Sequence, residues 1–207
     1  QKSTVMVVGC GAVGSFAIEA LARSGVGHII IVDFDVVEES NINRQLFALS
    51  STVGMSKVEV AQSRLQDINP DIKVEAFNLF FDANTDLPVR PDFIIDAIDS
   101  VESKIALYRW ASRCNIPFIS SMGAASKIDL TKIKIAKISQ TVVCPLAARI
   151  RRLIRGQELP DFPVVFSSEM PQPVLGHAKN LGSVITVTGV FGLCLANWVV
   201  QEIINKK

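Results

Sequence analysis

A doubly wound α/β domain, with a mainly parallel sheet and helices on both faces, is the architecture predicted by this sequence of 207 residues. Two features carry the expectation. Short apolar runs alternate with stretches of helical spacing, and a Gly9-x-Gly11-x-x-Gly14 turn sits between the first run and the first helix.

Val5–Val8 is that first run. Val13, Phe16, Ala17, Ala20 and Leu21 then mark one face of a helix, which Gly25 can end. Ile29–Val32 is the next buried strand, closing a strand–helix–strand unit whose crossover is right-handed. A helix over Lys57–Ile68 stops at Asn69-Pro70, and strands follow at Val74–Leu79 and Phe93–Ala97. Asp99-Ser100 opens a helix that runs to about Cys114. Phe118–Ser121 and Ile133–Ile138 are further strands, Pro145–Arg155 is a helix with proline in its first turn, and Val164–Phe166 is a short strand. These last elements form a smaller, mixed C-terminal extension. The stretch 156–182, with Pro160, Pro163, Pro171 and Pro173, reads as a long loop around that strand. Residues 180–200 carry no charge and could span a bilayer by length. Asn180, Ser183, Thr186, Thr188 and Asn197 interrupt them, however, so a helix buried in the core or in a subunit interface is expected.

With 49% hydrophobic and 20% charged residues, composition excludes a disordered tail, a collagen-like fibre and a disulfide-rich mini-protein. The net charge of +1 is a cancellation. Residues 1–126 hold ten Lys and Arg against fifteen Asp and Glu. Residues 127–157 hold eight, namely Lys127, Lys132, Lys134, Lys137, Arg149, Arg151, Arg152 and Arg155, against Asp129 alone. Such a stretch suits a polyanionic partner, although a solvated helix face has the same composition. Cys10, Cys114, Cys144 and Cys194 make no Cys-x-x-Cys pair, so neither a zinc ribbon nor a disulfide framework is signalled, and a reducing cytoplasm is expected. No secretory pattern opens the chain. It starts at Gln1, almost directly in a strand, so further N-terminal residues are expected ahead of it.

The glycine turn lets phosphate oxygens approach backbone N–H groups at a helix N-terminus, and Asp33, just past the second strand, can accept hydrogen bonds from a ribose. Alone, these features suit an NAD(P)-dependent oxidoreductase of Rossmann-like fold. Arg44, Lys57 and Asp99, supplied from successive loops at the same end of the sheet, suit a triphosphate with magnesium better. Without Gly-x-x-x-x-Gly-Lys-Ser/Thr, the chain is not a P-loop protein. In isolation, Lys57 reads as an exposed first-turn lysine and Arg44 as an ion-pairing surface residue.

Gly9-x-Gly11-x-x-Gly14, Val32-Asp33-Phe34-Asp35, Ser40-Asn41-Ile42-Asn43-Arg44-Gln45, Gly54-Met55-Ser56-Lys57 and Asp96-Ala97-Ile98-Asp99-Ser100 occur in that order. The set resembles the ATP-dependent adenylating family of ThiF, MoeB and HesA, related to the ubiquitin-activating enzymes. The resemblance implies an ATP site formed by Gly9, Gly11, Ala12 and Gly14, with Asp33 on the ribose and Asp35 nearby. It places Asn41, Arg44, Gln45 and Lys57 toward the phosphates, and Asp99 and Ser100 at the far side with Mg²⁺ on Asp99. Arg44, Lys57 and Asp99 are the implied catalytic residues, acting as a carboxylate attacks the α-phosphorus. A single adenylating domain over 1–207 follows, with an ATP-binding half at 1–123 and a substrate and dimerisation half at 124–207.

Members that activate a ubiquitin-like sulfur carrier commonly carry paired Cys-x-x-Cys zinc ligands, absent here. For a thioester-forming member, Cys144 is the candidate nucleophile. Gly123-Ala124-Ala125, Ile128-Asp129-Leu130-Thr131, Pro145-Leu146-Ala147-Ala148-Arg149 and Phe166-Ser167-Ser168-Glu169 are instead similar to the tRNA threonylcarbamoyladenosine dehydratase branch. That resemblance implies a homodimeric ligase-type enzyme that adenylates a threonyl carboxylate on tRNA. It also implies a monovalent cation, sulfur-transfer partner proteins and an arginine reaching the site from the partner's N-terminal helices. Lys132, Lys134, Lys137, Arg149, Arg151, Arg152 and Arg155 are then the candidate tRNA contacts. His28 reads as structural, and His177 as a weak candidate for a substrate contact.

Overall fold

The computed structural model describes residues 2–170 and 182–206. Its centre is a seven-stranded sheet of order β3-β2-β1-β4-β5-β7-β6. The strands are β1 Thr4–Val8, β2 His28–Asp33, β3 Lys73–Asn78, β4 Phe93–Asp96, β5 Phe118–Ser121, β6 Ile133–Lys137 and β7 Pro163–Ser167. All pair in parallel except the edge strand β6, which runs antiparallel to β7. The helices are α1 Gly14–Arg23, α2 Lys57–Ile68, α3 Val101–Arg113, α4 Pro145–Ile154 and α5 Ile185–Asn205.

Period-two alternation divides the core between the two sheet faces. Val5, Val7, Ile29, Ile31, Phe93 and Ile95 pack under α1, α2 and α5, whereas Met6, Val8, Ile30, Val32 and Ile94 pack under α3 and α4. Because both faces are covered, the central strands read as continuous apolar runs rather than alternating ones.

Helix ends follow the local sequence. After α1, the Gly25 N–H bonds to Ala22 O at 3.1 Å and the Val26 N–H to Leu21 O at 3.2 Å, with Gly25 at φ 80°. This is the left-handed stop that glycine adopts without strain. Ser100 caps α3 by accepting the Ser103 N–H at 3.4 Å.

The uncharged C-terminal segment becomes α5, a core helix of this fold. It is long and apolar enough to cross a membrane, but Val187, Phe191, Leu195 and Val199 are fully buried. Each large side chain so buried contributes roughly 2 kcal/mol. A Cβ on Gly192 would lie 2.4 Å from Val13 O, and one on Gly189 would lie 3.3 Å from the Phe16 ring. Helix α5 is therefore pressed against the start of α1, the helix that follows the glycine turn.

The short strand expected at Val164–Phe166 is β7, Pro163–Ser167, and it is wedged between β5 and β6 as an internal sheet member. Residues 171–181 of the expected loop lie outside the described residues. His177 lies outside the described residues.

The substitution Gly192→Ala is expected to destabilise the fold by about 2 kcal/mol, because the methyl group meets backbone that cannot yield. Gly25→Ala, with open space around it but a left-handed backbone, is expected to cost about 1 kcal/mol. Urea unfolding midpoints check both; wild-type midpoints for Gly192→Ala would contradict the packing of α5 on α1.

Candidate active site

Six strands point the same way, so their C-terminal ends share one sheet edge. The switch point lies between β1 and β4, where successive crossovers diverge to opposite flanks. The loops that open there bring together the residues of the predicted nucleotide site.

Gly9 leaves β1 at φ 98° and donates to Val32 O at 2.8 Å. A Cβ on Gly9 would lie 2.6 Å from Ala97 O, and one on Gly14 would lie 1.7 Å from Gly9 O. These two glycines let backbone pack against backbone. Gly11 differs, since a Cβ there would meet nothing closer than Gln45 Nε2 at 3.8 Å. It leaves open the space before the α1 N-terminus, with partly exposed Ala12 on the same rim. No side chain caps that helix start, so its N–H groups can take phosphate oxygens.

Asp33 sits beside this opening. Its Oδ2 accepts the Cys10 N–H at 2.6 Å and its Oδ1 accepts the Asp35 N–H at 2.8 Å. The carboxylate is thereby fixed, with lone pairs left for a diol. Burial pushes its carboxyl above the usual aspartate range, against the two backbone hydrogen bonds and the Lys57 charge. Burial likewise pushes the Cys10 thiol well up, with Asp33 adding to the shift, so Cys10 is an inert lining group.

Lys57 is buried rather than an exposed first-turn lysine. Its backbone N–H bonds to Asp35 O at 3.0 Å, and its ammonium lies 2.8 Å from Asp35 Oδ2. The two side chains are 8% and 46% exposed, so an anion entering from solvent can take over the ammonium from the Asp35 side. Asp35 thus acts on Lys57 directly. The loop before α2 is held by an antiparallel bridge between Val36 and Ser56.

Asn41 and Gln45 are buried and Arg44 half-buried. Asn41 Oδ1 accepts the Glu38 N–H at 3.2 Å, and Asn41 O accepts the N–H groups of Arg44 and Gln45. Arg44 Nη1 donates to Ser40 O at 2.7 Å and Asn43 Oδ1 at 2.8 Å. Ser15 Oγ accepts the Leu46 N–H at 3.1 Å, tying this loop to the first turn of α1. At the same sheet edge, Asp99 is exposed and makes no side-chain hydrogen bond or ion pair among the described residues, whereas Ser100 caps α3. An exposed carboxylate without such a partner fits the one-or-two-carboxylate habit of Mg²⁺. Asp96, by contrast, is fully buried and internally paired.

Two residues escaped the motif reading. Phe34 and Phe80, 52% and 49% exposed, meet edge-on at 4.9 Å beside Asp33. The only sequence signal was an aromatic residue immediately after a strand-terminal aspartate.

The basic residues are not one cluster. On β6, Lys134 shares the sheet face of α4, whereas Lys137, three residues on, faces the α5 side with Trp198 and Glu202. Lys132, in a short 3₁₀ turn before β6, is exposed. Arg151 is turned inward, where Nη1 donates to Ile138 O at 3.3 Å, to Thr141 O at 3.1 Å and to Thr141 Oγ1. It thereby clamps the loop in which Val143 holds a left-handed φ of 62°, a strained state for a β-branched residue. Arg149 pairs with Glu102 at 3.3 Å on the surface, a contact of little energetic value. Arg152 and Arg155 are exposed, without side-chain partners among the described residues. Cys144, the helix-capping neighbour of Val143, is buried and so is no accessible nucleophile.

A model of the ThiF family matches residues 1–207. The tRNA threonylcarbamoyladenosine dehydratase of Bacillus subtilis (strain 168) is 46% identical over 175 residues, 83% of this chain and 69% of that protein. The enzyme of the same name from Haemophilus influenzae is 34% identical over 229 residues, 100% of this chain and 88% of its own. Solved structures of the Escherichia coli tRNA N6-threonylcarbamoyladenosine dehydratase in complex with AMP and with ATP superpose at a TM-score of 0.92, with 34% and 33% identity, covering 99% of this chain and 87% of theirs.

In the role expected of Asp33, the ionised carboxylate is the form that would accept hydrogen bonds from both ribose hydroxyls. Its raised pKa therefore predicts that nucleotide affinity falls on acidification at a pH above the range where an ordinary aspartate protonates. Asp33→Asn is expected to weaken ATP binding about 10- to 100-fold at neutral pH and to flatten that acid limb. Calorimetry from neutral to acidic pH checks both; an unchanged acid limb in Asp33→Asn would remove Asp33 from the ribose.

Proposed function

The chain belongs to the ThiF family, and on that premise we propose that it is an ATP-dependent tRNA threonylcarbamoyladenosine dehydratase. It adenylates the threonyl carboxylate of the modified adenosine and closes the activated acid on its own carbamoyl group. One observation carries this reading: Gly11, where a Cβ would meet nothing closer than 3.8 Å, and the loops bearing Asp33, Lys57 and Asp99 lie at one sheet edge, in a chain similar along most of its length to dehydratases of that name.

ATP enters with its ribose on Asp33, its adenine beside the Phe34–Phe80 pair and its phosphates over Gly11 and the α1 N-terminus. A threonyl carboxylate oxygen attacks the α-phosphorus. The bond from that phosphorus to the bridging oxygen breaks, and pyrophosphate leaves. Lys57, drawn from Asp35 to the phosphates, and Arg44 stabilise the charge developing on the leaving group; the main chain of each is fixed in its loop, Lys57 N–H on Asp35 O and Arg44 N–H on Asn41 O, so both cations are delivered from anchored positions. Asp99 would hold a magnesium ion, which would supply positive charge against the phosphates. The carbamoyl group then attacks the acyl carbon, loses its proton, and AMP departs. An intramolecular nucleophile needs no enzyme thiol, which accords with the burial of Cys144.

An NAD(P)-dependent oxidoreductase has no need of Arg44, Lys57 and Asp99. Adenylation of a ubiquitin-like sulfur-carrier C-terminus would use the same nucleotide residues; the likeness to the dehydratases over 83% and 100% of the chain favours the tRNA substrate over it.

We place tRNA on the exposed cations Lys132, Lys134, Arg152 and Arg155, and dimerisation on the exposed apolar positions of α5, Leu193 and Ile204. This assigns residues 1–123 to ATP and 124–207 to substrate and the second subunit, in a cytoplasmic enzyme.

Incubating the protein with ATP, magnesium and tRNA bearing threonylcarbamoyladenosine should yield a nucleoside lighter by one water, with AMP and pyrophosphate formed in equal amounts. Mass spectrometry of the digested tRNA checks this, and unchanged nucleoside beside ATP turnover would reject the substrate. The double substitution Lys134→Glu/Arg152→Glu should weaken tRNA binding at least tenfold and reduce its salt slope by about two, with ATP binding intact. Arg151→Glu should instead lower stability.

A further inference from the structure

Asp99 makes no side-chain hydrogen bond or ion pair among the described residues, so its position is set by the backbone turn that carries it. That turn is built on a fully buried polar cluster. Asp96, the last residue of β4, accepts the Ile98 N–H on Oδ1 at 3.0 Å. Its Oδ2 is held by Lys104 Nζ at 2.8 Å, Tyr108 OH at 2.9 Å and Ser120 Oγ at 2.5 Å. Lys104 also donates to Ser121 O at 2.8 Å, which joins the ends of β4 and β5 through one ammonium. From the other side, Ala97 N–H bonds to Val8 O at 2.8 Å, and Ala97 packs on Gly9 so closely that a Cβ there would clash.

Lys104 and Tyr108 stand one turn apart on α3, the helix that begins immediately after Asp99. The first two turns of α3 therefore reach back to grip the strand end from which the turn departs. Burial pushes the Tyr108 phenol well above its usual range, with the Asp96 charge adding to the shift, so it stays a hydrogen-bond donor. A buried ion pair of this kind stabilises a fold little better than apolar residues of the same volume, so stability alone is a weak reason for the arrangement. Fixed placement of a metal-binding carboxylate is a stronger one, because partners behind a ligand commonly control metal affinity.

We infer that Lys104 and Tyr108, acting through Asp96, are positioning residues for Asp99, and that they set how tightly the site takes a nucleotide-bound divalent cation. The inference rests on the reading of Asp99 as the magnesium ligand, so its test separates the two. The readout is the ratio of ATP affinities measured by calorimetry with magnesium and with a chelator, on the intact protein. For the wild type this ratio should favour magnesium. Asp99→Asn should collapse it; if it does not, Asp99 is not the ligand and the inference falls with that reading.

If Asp99→Asn does collapse the ratio, Tyr108→Phe should lower it about tenfold while leaving AMP affinity unchanged. The double variant Tyr108→Phe/Asp99→Asn should lose no more than Asp99→Asn alone. Tyr108→Phe removes the hydroxyl's hydrogen bonds to Asp96 Oδ2 and Ser120 Oγ and keeps the ring that stacks on Phe118 at 5.2 Å, so the variant is expected to fold. Asp96→Asn/Lys104→Gln, which removes both buried charges together, should give the same loss. A wild-type ratio in both variants, alongside lowered unfolding midpoints, would show that the cluster serves stability only and would overturn the inference.

Discussion

The geometry of the site depends on one close approach. Where β1 and β4 lie side by side, the turns after them are in backbone contact, with Gly9 against Ala97 and Gly14 against Gly9. A single methyl group at Gly9 or Gly14 would push them apart. With them in contact, the α1 N-terminus and the loops bearing Asp33 and Asp99 are held together at one sheet edge. Helix α5 presses on the same assembly from outside through Gly192, so the C-terminal segment supports the N-terminal half although it carries no predicted nucleotide contact.

At that edge the charges are held in different ways. Asp33 is locked by two backbone donors, Lys57 is buried on Asp35, and Asp99 is left free at the end of a braced turn. Locked groups suit parts of a ligand that stay put, such as a ribose. A lysine resting on a half-exposed carboxylate suits a phosphate that arrives and leaves, because the resting partner keeps the buried cation satisfied in between.

Much of this was legible in the sequence. The limits of α2 coincide with Lys57 and Ile68 because Asn69-Pro70 cannot continue a helix, and Ser100 marks the start of α3 as a capping residue should. The candidate nucleotide residues fall on loops at one sheet edge because strand-to-helix turns of a parallel sheet all open there. Long-range contacts were not legible. The insertion of β7 between β5 and β6, the inward turn of Arg151 and the burial of Lys57 depend on neighbours far away in the chain. The separation of Lys134 from Lys137 was legible in principle, since residues three apart on a strand face opposite sides. Charge counting ignored that parity and treated a divided set of cations as one patch.

The most direct test of the account is a crystal structure with a non-hydrolysable ATP analogue and magnesium. The account predicts both ribose hydroxyls on Asp33, the phosphates over Gly11 with Lys57 turned from Asp35 toward them, and the metal on Asp99. A nucleotide bound with its ribose away from Asp33, or a metal that leaves Asp99 uncoordinated, would contradict it.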